Sequence, residues 1–115
     1  MRRVVSISVG LLFFCSAAAQ EGLRVEGGFD CGVWAIARKE HQAQILEHYL
    51  LGLIDGLVLG MSIDLWRAGG AALDRDQANL WMDRFCASDI HRSLPQGALE
   101  FAYERIRSVS PRNEK

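Results

Sequence analysis

The chain has 115 residues, half of them hydrophobic and 23% charged, with a formal net charge of −1. Those proportions fit one globular domain and exclude an intrinsically disordered chain. With no basic stripe and no aromatic set interleaved with one, they also exclude nucleic acid as the expected partner.

Residues 1–19 read as an export signal. Arg2 and Arg3 supply the positive end, residues 4–14 a short apolar core, and Ala17-Ala18-Ala19 a small-residue cleavage site. The apolar core is shorter than the ~20 residues a spanning helix needs, so cleavage after Ala19 and a periplasmic destination are expected. Cys15 leaves with this segment, because Phe13 and Phe14 are too bulky for the site at which a lipid-bearing cysteine would be exposed. Cys31 and Cys86 then remain, and an even pair in an oxidising space predicts one disulfide. Closing so long a loop is worth about 4 kcal/mol by the chain-entropy argument, a large part of a small domain's margin.

Residues 20–29 are polar and glycine-containing without a period, and read as a flexible lead-in. Asp30 is a helix cap, followed by a short helix with Val33, Trp34, Ile36 and Ala37 on its apolar side. Residues 45–66, ILEHYLLGLIDGLVLGMSIDLW, form the centre of a long helix expected over residues 42–67. Leu46, Tyr49, Leu50, Leu53, Leu57 and Met61 fall at three- and four-residue steps, and Ile45, Ile54, Val58 and Leu65 widen the stripe. Glu47, Asp55 and Asp64 argue against a membrane span in the mature chain. Gly52, Gly56 and Gly60 recur at every fourth position. Each costs roughly 1 kcal/mol of helix propensity, so the pattern predicts close approach of another helix, from this chain or from a second copy in a homodimer.

Ala68-Gly69-Gly70 is expected to end that helix. Asp74 or Asp76 caps the next, in which Ala78, Trp81, Met82, Phe85 and Cys86 share a face. Ser93 and Pro95 open a last helix with Leu94, Ala98, Leu99, Ala102, Tyr103 and Ile106 inward, and Glu100 and Glu104 spaced to meet Arg105 and Arg107. Residues 108–115 read as a frayed tail. The fold expected is all-α, about four helices over residues 30–107, braced by Cys31 and Cys86.

These parts do not assemble a familiar catalytic or cofactor motif: no nucleophile elbow, no phosphate-cradling glycine loop and no helical His-Glu-x-x-His. No cofactor, metal or enzymatic activity is expected. His41, His48 and Glu47 can be drawn as a metal site only if His41 lies on the helix. Asp55 is expected at the edge of the helix, reaching solvent or pairing with an arginine such as Arg38 or Arg84, or else in the apolar seam as a pH-sensing carboxylate, with His41 and His48 as further candidates for pH sensing. A paired aspartate there would lose its stabilising contribution as pH falls through its depressed folded value. Trp34, Trp66 and Trp81 read as core anchors, Trp66 being the one expected at a partner surface.

One cysteine ahead of a long helix carrying Tyr49-Leu50-Leu51-Gly52-Leu53-Ile54-Asp55-Gly56, then Cys86 late in a following helix and Pro95 leading into the last, is a pattern that resembles the HdeA/HdeB group of periplasmic acid-stress chaperones. It is similar, less closely, to the Rap1a/Tai type of periplasmic immunity proteins. Here Pro95 stands nine positions after Cys86, further than in many relatives of the first kind, and the further cysteines frequent in the second are absent. The resemblance implies a non-enzymatic protein that binds a protein client, as an acid-stress chaperone or as an inhibitor of a toxin enzyme. A small structural subunit of an envelope complex is the remaining reading.

Overall fold

A computed structural model describes Glu26 and residues 28–109, and places four α-helices around one core. They are α1 (Cys31–Lys39), α2 (Gln44–Met61), α3 (Arg75–Ser88) and α4 (Leu94–Val109), with a single 3-10 turn at Ala68–Gly70 between α2 and α3. The expected export signal, with Cys15, lies outside the described residues.

Three of the four helices begin where a side chain supplies an acceptor for their free N–H groups, while α2 follows Ala43 with no side-chain cap. The Asp30 carboxylate accepts from Val33 N at 2.8 Å and starts α1. Of the two candidate caps ahead of α3, Asp74 is used: its side chain accepts from Gln77 N while the Gln77 amide oxygen accepts from Asp74 N, a reciprocal capping box. At α4 the Ser93 hydroxyl and the Gln96 side chain exchange similar bonds, and Pro95 occupies the first turn.

The long helix is shorter than expected at its C-terminal end. It stops at Met61, where Ser62 turns into the left-handed region at φ 56°. Asp64 then accepts from Trp66 N and Arg67 N, a local turn that competes with helix continuation. Leu65, Trp66 and Arg67 therefore belong to the connection. That connection is fastened from across the molecule by Arg105 on α4, whose guanidinium donates to the carbonyls of Leu65, Trp66, Ala68 and Ala71.

Trp34, Leu50, Ile54, Leu65, Met82, Leu94 and Phe101 are fully buried and form the centre of the core. The Cys31–Cys86 disulfide joins the first residue of α1 to the later part of α3, with the two Cα atoms 4.9 Å apart. Beside it the extended residues flanking α1 pair with the segment before α4: Cys31 N donates to Arg92 O and Leu94 N to Phe29 O, each at 2.8 Å. Phe29, read from sequence as part of a flexible lead-in, is thus held by the backbone of α4 and packs edge-on against Tyr49. At the other end α4 runs on through Ser108 and Val109, where a frayed tail was expected.

Of the two partners expected for the glycine stripe, the one within this chain is missing among the described residues, and the second copy stays open. Among the described residues nothing outside the helix's own backbone lies within 4 Å of a Cβ built on Gly52, Gly56 or Gly60, so none of the other described helices packs closely on that face. The close approach occurs instead at Gly97 of α4, where a Cβ would stand 2.6 Å from the Met82 methyl and 2.9 Å from the Phe85 ring. Gly97 lets α4 lie directly on α3.

Candidate protein-binding face

The sequence residues expected to act as pH sensors do not come together. Asp55 is exposed and pairs with neither Arg38 nor Arg84; it accepts the Trp66 indole N–H at 2.8 Å. His41 lies in the connection between α1 and α2 at φ 57°, ahead of the helix, so it shares no helical face with His48. His48 is exposed, with Nδ1 2.8 Å from the Gln44 carbonyl. Among the described residues no group of three His, Cys, Asp or Glu side chains is arranged to hold a metal ion.

Arg38 has a different role from the one expected. Its guanidinium makes a two-pronged contact with Asp83, at 2.9 and 2.7 Å, and reaches Glu47 at 3.0 Å. The Asp83 hydrogen bonds raise the guanidinium above its ordinary value, helped by Glu47 and by both negative charges, against the opposing effect of partial burial. The same Asp83 carboxylate accepts the buried Trp34 indole N–H at 2.8 Å. Trp34, Arg38, Asp83 and Glu47 thereby join α1, α2 and α3 in one polar cluster, and Glu47 is spent on this internal contact.

The other two tryptophans end the same way, in a carboxylate. Trp81 donates to Glu104 at 2.7 Å, and its ring stacks on Phe85 and meets Phe101 edge-on. Trp66 is half-buried, its ring 6.3 Å from that of Phe101. It closes one edge of the core and keeps part of its surface exposed. The expected pairing within α4 is also replaced: Glu100 binds Arg92 at 2.6 Å and Glu104 the Trp81 indole.

What the molecule does expose is one side of α2. By length and composition α2 is apolar enough to cross a bilayer, with mean hydropathy 1.2, yet only 17% of that window is buried in the fold. Leu46, Leu50 and Ile54 face the core, and Glu47 is tied to Arg38. Ile45, Gly52, Gly56, Leu59 and Gly60 face outward. On the side toward α4 the surface dips into a groove of about 320 Å³, lined by Gly52, Leu53, Gly56, Leu57, Pro95, Ala98 and Leu99. No charged side chain lines it. A sequence reading that took the glycine stripe as the seat of another helix, of this chain or of a second copy, passed over this groove, because periodicity reports which residues share a face and is silent on whether the face is covered.

Searches against protein-family models, curated proteins and solved structures found no match to this chain. Fold and surface define the class: an all-α single domain, braced by one disulfide, with an open apolar face on its longest helix.

Proposed function

We propose that this chain is exported through residues 1–19 into the periplasm and there binds other proteins without catalysing a reaction. The observation that carries the reading is the apolar groove between α2 and α4, with Leu53, Leu57, Pro95, Ala98 and Leu99 on its walls and glycine backbone on its floor. A shallow, uncharged surface of this kind suits an apolar helix or an extended apolar segment. The gain is the water released, roughly 25 cal/mol per Å² of apolar area covered. The Cys31–Cys86 bridge supports an oxidising compartment.

In its first form the reading is an acid-stress chaperone. The experiment is to follow light scattering of an unfolding client protein at neutral and strongly acidic pH, with the wild type and with Leu99→Glu. Protection in acid that Leu99→Glu lacks, at unchanged helix content, supports the chaperone; a wild type that protects at neither pH eliminates it. The second form is an immunity or inhibitor protein. It is favoured by the groove being open in this fold without any acid-driven change, since a preformed surface suits tight binding of one enzyme at neutral pH. Stoichiometric neutral-pH inhibition of one periplasmic enzyme, abolished by Leu99→Glu, would establish that form.

A further inference from the structure

We propose that the outer side of α2 is covered by a second copy of this chain, the two α2 helices packing antiparallel about Gly52. The proposal rests on the reading of this face as a protein-binding surface and names the occupant of its outer half. Among the described residues the large apolar side chains that protrude most are Leu59, 81% exposed, and Ile45, 78% exposed. Ile45 stands seven residues before Gly52 and Leu59 seven after it, so both lie close to the line of Gly52 along the helix. Between them the backbone at Gly52 and Gly56 is bare.

A two-fold axis at Gly52 makes this stripe self-complementary. It sets Ile45 of each copy against Leu59 of the other, and symmetry repeats the contact at the far end, about 21 Å away. The absent side chains in the middle let the two backbones approach, and the protruding ends close over one another.

The polar groups select the same arrangement. His48 lies four residues before Gly52 and Asp55 three after it, both exposed on this side of the helix. Antiparallel packing brings His48 of each copy beside Asp55 of the other; parallel packing would set Asp55 against Asp55 and His48 against His48. Nδ1–H of His48 donates to the Gln44 carbonyl, so Nε2 donates to a partner carboxylate only when the ring carries both protons. Oδ1 of Asp55 holds the Trp66 indole, leaving Oδ2. Glu47, the other carboxylate on this part of α2, is turned inward to Arg38 and does not oppose the pairing. Leu53 lies about a quarter turn round the helix from Gly52, so the groove wall toward α4 remains accessible.

The test is sedimentation equilibrium of the oxidised protein over a range of concentrations, for the wild type, Ile45→Lys, Leu59→Glu and the double variant. Both positions are exposed, so all four proteins retain their helix content, checked by circular dichroism. The wild type is expected to be a dimer, each single variant to dissociate at least tenfold more readily, and the double variant to recover because each new lysine faces a new glutamate. A wild type that stays monomeric overturns the proposal, as does a double variant that is weaker than both singles. A monomer that instead partitions onto vesicles of zwitterionic lipid overturns it too, in favour of a membrane surface. None of these outcomes touches client binding through Leu99, whereas a wild type that dimerises yet protects no client overturns only the earlier reading.

Discussion

A Cβ on Gly97 would lie 2.6 Å from the methyl of Met82, so α3 and α4 lie this close at that point because position 97 has no side chain. Gly97→Ala should gain about 1 kcal/mol in helix propensity and lose more to overpacking, which typically costs about 1–3 kcal/mol. Gly56→Ala meets nothing within 4 Å and should stabilise the isolated chain by up to about 1 kcal/mol. Urea denaturation of the two variants, at concentrations low enough to keep the chain monomeric, is expected to move the midpoint in opposite directions; equal losses there would mean that the α2 face is covered within the chain.

The Arg38 cluster makes a second prediction. Arg38→Met leaves Asp83 and Glu47 facing each other without their cation, and should destabilise by about 1–3 kcal/mol, the range for hydrogen bonds to charged groups. The sign of the pH dependence follows from the raised guanidinium. A cation whose folded value lies above its unfolded one contributes fully below the unfolded value, and that contribution is lost only as pH rises through the folded value. The Arg38 contribution should therefore be constant from neutral pH to moderately alkaline pH. Parallel thermal melts of wild type and Arg38→Met across that range check this, the gap between them staying constant.

Reducing the Cys31–Cys86 bridge should cost about 4 kcal/mol or less, given a sequence separation of 55. The α1 helix, nine residues long, depends on this tie and on Trp34. Hydrogen exchange of the reduced protein is expected to show α1 losing protection before α2 and α4; uniform loss would show instead that the four helices unfold as one unit.

Arg105→Ala removes the donor shared by four carbonyls between Leu65 and Ala71. Buried Leu65 and Ala68 and the Trp66–Asp55 bond hold the connection as well, so it should stay folded while its amide exchange accelerates and the rest of α4 changes little. The expected loss of global stability is about 1–3 kcal/mol.

Several features were legible in the sequence because they are set by neighbouring residues. Asp30, Asp74 and Ser93 start helices through bonds spanning three residues, and the three- and four-residue spacing of Leu46, Leu50 and Ile54 marks the inward side of α2 whatever it packs on. The pairing of Cys31 with Cys86 followed from there being two cysteines in the expected mature chain. The end of α2 was misjudged for an equally local reason: Asp64 competes for the backbone N–H groups of Trp66 and Arg67, which a count of apolar positions does not register.

The amino-acid sequence by itself determined four helices, the caps of three, the inward stripe of α2 and the covalent tie, since these depend on helical period, short-range hydrogen bonds or cysteine number; it misplaced Val33, Ile36, Leu99 and Tyr103, read as apolar-face residues and in fact exposed. Only the tertiary structure decided which glycine brings helices together, which carboxylate holds Arg38 and which side of α2 is left open. Those depend on distances between segments far apart in the chain: Gly97 is close-packed and Gly56 is bare because α4 crosses α3 at one and leaves the other facing water.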